Sequence, residues 1–204
     1  MNRKFSADDC VEYMKKKYGR EFTFTSPFDK FQPTTYSCEV LVASPDYPGE
    51  NIYVVEEFTG ESIRFRDNFP AVIYEKDVCR LVTELSGEVY GECRVLYSRT
   101  PRRTISGEPK TFGEYISLEN SLIHFFVILP PGAPVNEKEE KARSLAAALC
   151  GKGTVCSFTV YYTPDSGVYD SITTQGNIPK TLHWYRSCGF ISTDGSGISS
   201  ESWR

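Results

Sequence analysis

Three features of the sequence predict an α+β fold, with an antiparallel meander flanked by helices followed by a β-α-β unit. The first is the run Leu122–Leu129, nearly unbroken in apolar residues and stopped by Pro130 and Pro131. Such a run reads as a strand covered on both faces, where alternation is not needed. The second is the helical pattern that follows it and the strand pattern that begins at Thr154; a strand–helix–strand of this length implies a crossover and a parallel pair. The third is a series of short alternating runs between Glu21 and Arg66, joined by links rich in Gly and Pro, the mark of an antiparallel meander.

Taken in order, Ser6 to Tyr18 reads as a helix. Ser6 is a good N-cap with Asp9 placed to complete a capping box, and Ala7, Val11, Met14 and Tyr18 share one face. Lys15, Lys16 and Lys17 suit the negative end of the helix dipole, and Gly19 the position just after it. Strands follow at Glu21–Thr25, Tyr36–Ala43, Asn51–Phe58 and Ser62–Arg66. In the second of these Tyr36, Cys38, Val40 and Val42 lie on one face. A second helix runs from about Tyr74 to Tyr90 on the stripe Val78, Leu81, Val82, Leu85 and Val89, while Phe69–Ile73 reads as helix or as extended chain. Gly91 ends that helix, and Cys93–Tyr97 is a strand.

The basic stretch around Pro101, Gly107 and Pro109 is a loop or linker. The fold is one lobe or two; as two, the loop divides a first lobe, residues 1–98, from a second, residues 111–204, with 99–110 between them. Thr111–Glu119 reads as a short helix. After the Leu122–Leu129 strand, Asn136 is placed to cap a helix with Glu139 at its third position and Ala142, Leu145, Ala146 and Leu149 as its buried stripe. Thr154–Thr163 is a long strand with Cys156, Phe158, Val160 and Tyr162 on its apolar face. Beyond Pro164 there is one short strand candidate, Leu182–Tyr185 or the segment at Phe190, and then a polar Ser/Gly-rich tail expected to be loosely held, in which Trp203 has no evident purpose.

The chain of 204 residues is long enough for a real core. Its 13 Tyr and 13 Phe favour strands, and its net charge of −4 argues against a dedicated nucleic-acid binder. No stretch approaches the length of a membrane span. Seven cysteines, an odd number with no C-x-x-C, suit free thiols in a reducing compartment better than a disulfide scaffold. The expected location is therefore cytoplasmic, or extracytoplasmic if a leader or anchor precedes Met1 in the native protein.

Candidate chemistry is sparse. His124 sits within the apolar run and reads as a core histidine with one hydrogen-bond partner. His183 and Cys188 lie close together in sequence and are the one candidate thiol–imidazole pair, although their spacing matches no cysteine-hydrolase signature and no third orienting group is marked. Cys150 and Cys156 lack the further ligands that zinc needs. Asp165–Asp170 lacks the ligand ladder of a calcium loop and reads as a turn held by Asp side chains. No phosphate loop, dinucleotide fingerprint or nucleophile elbow is present, so no cofactor is expected.

The N-terminal segment Tyr13-Met14-Lys15-Lys16-Lys17-Tyr18-Gly19-Arg20-Glu21-Phe22-Thr23-Phe24 resembles the opening of a group of small bacterial α+β proteins that share a YM-x-x-K-YG-x-x-F-x-F segment. A looser likeness runs through Asp67-Asn68 to Tyr90-Gly91-Glu92-Cys93. The motif is structural in character, and the group has no assigned activity, so the resemblance implies a fold and no functional residues. Some members look membrane-anchored through an N-terminal segment.

These readings point to a non-enzymatic binding or interaction module with a protein partner, its identity and the oligomeric state left open. Tyr and Trp favour contact faces, which makes Tyr47, Tyr53, Tyr161, Tyr162 and Trp184 candidate contacts. The basic loop residues Arg99, Arg102 and Arg103 are candidates for phosphate or an acidic partner, although such a run is more often a solvated loop. Two alternatives stand beside this: a thiol-dependent enzyme using Cys188 and His183, and an acidic inhibitory or regulatory protein for a basic partner.

Overall fold

In the computed structural model, residues 6–27, 37–58, 60, 62–98, 104–118, 123–178 and 185–204 are described. They fall into two compact units, one within the spans Met1–Ile73 and Pro101–Pro109, the other within Tyr74–Thr100 and Lys110–Arg204. No helix among the described residues is long and apolar enough to cross a membrane.

The first unit opens with α1, Ala7–Tyr18. Ser6 caps it as expected, its Oγ accepting the Asp8 N–H, and Gly19 closes it, its N–H donating to the Lys15 carbonyl at 2.8 Å. Strands β1 (Thr23–Pro27), β2 (Ser37–Ala43), β3 (Ile52–Phe58) and β4 (Ile63–Asp67) form a fully antiparallel sheet in chain order. This is the expected meander. Val40 and Val42 of β2 and Ile52 and Val54 of β3 pack with Cys10 and Met14 of α1 around Phe22 and Phe69. Phe69–Ile73 is helical, α2, not extended. Asp67 explains this: its Oδ1 accepts the Phe69 N–H at 3.0 Å, so a side chain supplies the partner that opens a turn of helix.

The second unit contains α3 (Glu75–Tyr90), β5 (Arg94–Ser98), α4 (Phe112–Ser117), β6 (Ile123–Leu129), α5 (Lys138–Gly151), β7 (Val155–Tyr162), α6 (Ser166–Ser171), β8 (Ser187–Asp194) and β9 (Ile198–Trp203). Its sheet has the order β5-β6-β7-β8-β9. Strands β6 and β7 are parallel, as the crossover through α5 requires, and every other pair is antiparallel. Strand β5, which chain order assigns to the first lobe, pairs with β6 instead. The chain then returns to the first unit, where Ile105 bridges Asp67 of β4.

Helices α3 and α5 pack on each other and on one face of the second sheet. Phe125, Val127, Phe158, Val160 and Ile191 are buried on that face, and Val78, Val82, Ala142, Leu145, Ala146 and Leu149 are buried on the helices. Among the described residues the opposite face is covered at one end, where Ile128 packs with Ile172 and Tyr185, flanked by Leu96, Phe126 and Tyr161. The expected strand covered on both sides is thus covered fully in its second half. Towards its start, His124 is half-buried and Phe190 of β8 lies 38% exposed.

Two further expectations change. Asn136 does not cap α5: Val135–Glu137 form a 3₁₀ turn, and α5 begins at Lys138 with Glu137 in the cap position. Such tight turns commonly lead into α-helices. The tail is not loosely held but forms the β8–β9 hairpin, whose turn is fastened by Asp194 Oδ1 accepting the Ser196 and Gly197 N–H groups, both at 2.9 Å. Trp203 has a purpose there. It stands opposite Gly189 on the neighbouring strand, and a Cβ on Gly189 would fall 2.3 Å from its ring. Lys138 Nζ stands 5.3 Å from the ring centroid, and the indole N–H donates to Glu201 at 2.8 Å.

Candidate functional site

The carboxyl ends of the parallel pair β6 and β7 open onto a cavity of about 130 Å³. In sheets with parallel strands this is the end at which ligands are most often found. Its position follows from local chemistry. Pro130 and Pro131 end β6 because neither can supply a ladder N–H. The chain then turns: Gly132, at φ 91°, occupies the position of a type II turn that needs positive φ, and the Ala133 N–H returns to the Pro130 carbonyl at 3.3 Å. Leu129, Pro130, Ala133 and Pro134 form an apolar wall. Tyr162, at the end of β7, and Tyr90, at the end of α3, supply two phenols; Lys141 from the first part of α5 and Glu92 complete the lining.

The tyrosines define the site. Tyr162 is 1% exposed. Its hydroxyl and that of Tyr90 are both buried, and neither has a hydrogen-bond partner among the described residues. Buried polar groups are nearly always bonded, so two such hydroxyls on residues that line one cavity are an uncommon feature. Burial, with the nearby Glu137 carboxylate adding to it, pushes the Tyr162 phenol up to about 12. Burial also pushes Tyr90 up, followed by the effects of Tyr162 and Cys93. Both phenols are therefore neutral hydrogen-bonding groups near pH 7. Lys141 Nζ is 3.7 Å from Glu137, a loose pairing that leaves ammonium hydrogens available.

The sequence-derived candidates are scattered. Arg99, Arg102, Arg103, His183 and Trp184 lie outside the described residues. Cys188, on β8, has its thiol pushed up to about 11 by burial, partly offset by Arg204; an activated thiolate needs a shift in the other direction. Tyr161 and Tyr162 are neighbours on β7 and so face opposite sides of the sheet. Tyr162 lines the cavity, whereas Tyr161 packs against Tyr185 on the other face, ring centroids 4.4 Å apart and planes tilted by 36°. Tyr53 is buried at 6% exposure, and Tyr47 packs edge-on against Phe69 in the first unit. His124 shares a 2.7 Å hydrogen bond with Ser157 on the adjacent strand. Among the described residues, no group of three or more His, Cys, Asp or Glu is placed to hold a metal ion. Tyr90, Glu92 and Lys141 went unnoticed as site residues. The double proline after an apolar strand was the available signal, because it marks where a parallel strand ends.

No family model matches the chain, and no curated protein matches it. Among solved structures, a DUF5037 family protein from Ruminococcus gnavus ATCC 29149 is similar at 14% identity, over 95% of this chain and 94% of that chain, with a TM-score of 0.43. Function has to be argued from the residues themselves.

Proposed function

We propose that this protein is a non-enzymatic binding module and that it takes a small ligand at the cavity beside the ends of β6 and β7. The observation that carries this reading is the cavity itself, lined by apolar surface, Lys141, Glu92 and two tyrosines, Tyr90 and Tyr162, whose buried hydroxyls have no partner among the described residues. A buried hydroxyl left without a hydrogen bond costs on the order of 1–3 kcal/mol, so a polar partner that reached either one would recover that cost. The volume suits a compact molecule, since an apolar cavity of roughly 150 Å³ holds benzene.

A fragment screen followed by amide NMR tests this reading on the full chain. Fragments are expected to shift resonances of Ala133, Lys141 and Tyr162, and Ala133→Phe, which fills the cavity, is expected to abolish those shifts. If no fragment shifts these residues, or if Ala133→Phe leaves the shifts unchanged, the cavity is not the binding site.

A further inference from the structure

The face of the second sheet turned away from α3 and α5 carries two rows of side chains in register. Directly paired residues share a face. The pairings across β6, β7, β8 and β9 therefore place His124, Ser157, Ser192 and Ser200 in one row, and Phe126, Thr159, Phe190 and Ser202 in the next. The first row is an imidazole and three hydroxyls; the second alternates rings with hydroxyls. Both rows reach solvent. Phe190 is 38% exposed, Ser200 and Ser202 are exposed, and Ser157 and Ser192 are half-buried. The rings form one cluster, His124 standing edge-on to Phe126 at 4.7 Å and stacking with Phe190 at 6.3 Å between centroids. The hydrogen bond from His124 to Ser157 fixes the imidazole within it.

Charged residues make up 25% of the chain, yet none of these eight positions holds Asp, Glu, Lys or Arg. Charge stands in the flanking rows and in both signs. Asp194, beyond Ser192, has its Oδ1 bound by Ser196 and Gly197. Arg94, in the row beyond Phe126, donates to the Tyr169 and Ile172 carbonyls. Arg204, beyond Ser202, is exposed. A nucleic acid strand calls for a cationic groove along its phosphates as well as rings for its bases. A wholly apolar partner strips water from the serines without replacing it. We infer that this face is a second binding site, separate from the cavity, and that its ligand is a neutral saccharide chain, one sugar ring lying on Phe190 with hydroxyls bonded to Ser157, Ser192 and Ser200. Serine and sugar hydroxyls each donate once and accept twice, so they satisfy one another in either sense. The electron-rich face of a phenyl ring attracts the C–H hydrogens of a sugar, and covering it buries apolar area. Strands lie about 4.8 Å apart, so the hydroxyl row repeats at about the length of one pyranose unit, and a chain laid across the strands meets a hydroxyl at each step.

Amide NMR on the full chain tests this with five neutral oligosaccharides: cellohexaose, maltohexaose, xylohexaose, mannohexaose and chitohexaose. At least one is expected to shift the resonances of Phe190, Ser192 and Ser200. Phe190→Ala is expected to weaken that oligosaccharide by about tenfold or more, and Ser192→Ala/Ser200→Ala by about fivefold or more. All three substituted side chains reach solvent, and a dispersed amide spectrum confirms that each variant is folded. The inference is overturned if none of the five shifts these resonances, or if the shifts survive Phe190→Ala. It is also overturned if a deoxythymidine hexanucleotide binds this face more tightly than every oligosaccharide. Concentration-dependent shifts of the same resonances without ligand overturn it as well, since they assign the face to a second copy of the chain. Shifts at Ala133, Lys141 and Tyr162, and their loss in Ala133→Phe, judge the cavity separately.

Discussion

Lys17 Nζ lies 2.7 Å from Asp67 Oδ2, joining two residues fifty positions apart in an almost fully buried ion pair. The same carboxylate accepts from Tyr13 at 2.9 Å and from Tyr18 at 2.8 Å, and Lys17 also donates to the Gly107 carbonyl at 2.9 Å. Three positions of the YM-x-x-K-YG segment thus converge on one side chain of β4. Two of them are phenols held neutral, pushed up first by burial and then by the Asp67 charge.

Removing one member of this network strands the others. Asp67→Ala is expected to cost about 3–5 kcal/mol, the usual penalty for leaving a buried charge without its partner. Lys17→Met is expected to act similarly, and Tyr18→Phe to cost about 1–3 kcal/mol for a hydrogen bond to a charged group. Urea unfolding followed by circular dichroism measures each. A loss below about 1 kcal/mol for Asp67→Ala contradicts the role assigned to the network.

Gly189 is needed because Trp203 lies over it. Gly189→Ala places a Cβ 2.3 to 2.5 Å from three ring carbons, and overpacking of this kind costs typically about 1–3 kcal/mol. In the Trp203→Ala background the same substitution is expected to cost little. A double-mutant cycle by thermal unfolding reports this as a coupling between the two sites, and additive effects count against the contact.

The β8–β9 hairpin gives the second unit an acid-sensitive contact. The Trp203 N–H holds the Glu201 carboxyl below its ordinary range, and Arg143 adds to the effect. A carboxylate depressed in the folded state adds stability above its unfolded value and loses it as pH falls through the folded one. Glu201→Gln is therefore expected to lower the melting temperature at pH 7, and the gap from the parent protein is expected to close below about pH 4. A gap independent of pH contradicts this assignment.

The thiols are expected to be slow. Burial pushes both Cys10 and Cys156 up to about 12, and Cys188 up to about 11. A maleimide or disulfide reagent at pH 7 is expected to label these three more slowly in the native protein than after unfolding. Labelling of Cys188 at or above the rate of a free thiol restores the case for a Cys188-dependent enzyme.

Much of the fold was legible in the sequence because most of its signals were local. The cap at Ser6 and the alternation of β2 declare themselves within a dozen residues, and the strand–helix–strand of β6, α5 and β7 within one continuous segment, Ile123 to Tyr162. The β8–β9 hairpin was not legible for the opposite reason. The segment ISSESW has little apolar alternation, because an edge strand with a solvated face takes its stability from backbone pairing and, here, from one tryptophan over one glycine. The α2 helix depended on an Asp67 hydrogen bond that no propensity reveals. The cavity was hidden by distance along the chain. Tyr90 read as a helix end and Tyr162 as one more apolar-face residue of a strand, and only the packing of α3 on α5, β5 and β6 brings the two residues to one cavity.

The hydroxyls of Tyr90 and Tyr162 have no partner among the described residues, and the unfolding free energy of the Tyr90→Phe/Tyr162→Phe double variant without added ligand tests this most directly. Deleting two unbonded polar atoms is expected to leave stability within about 0.5 kcal/mol of the parent, or to raise it. A loss of about 2 kcal/mol or more would show that protein groups satisfy the two hydroxyls, and would contradict the account.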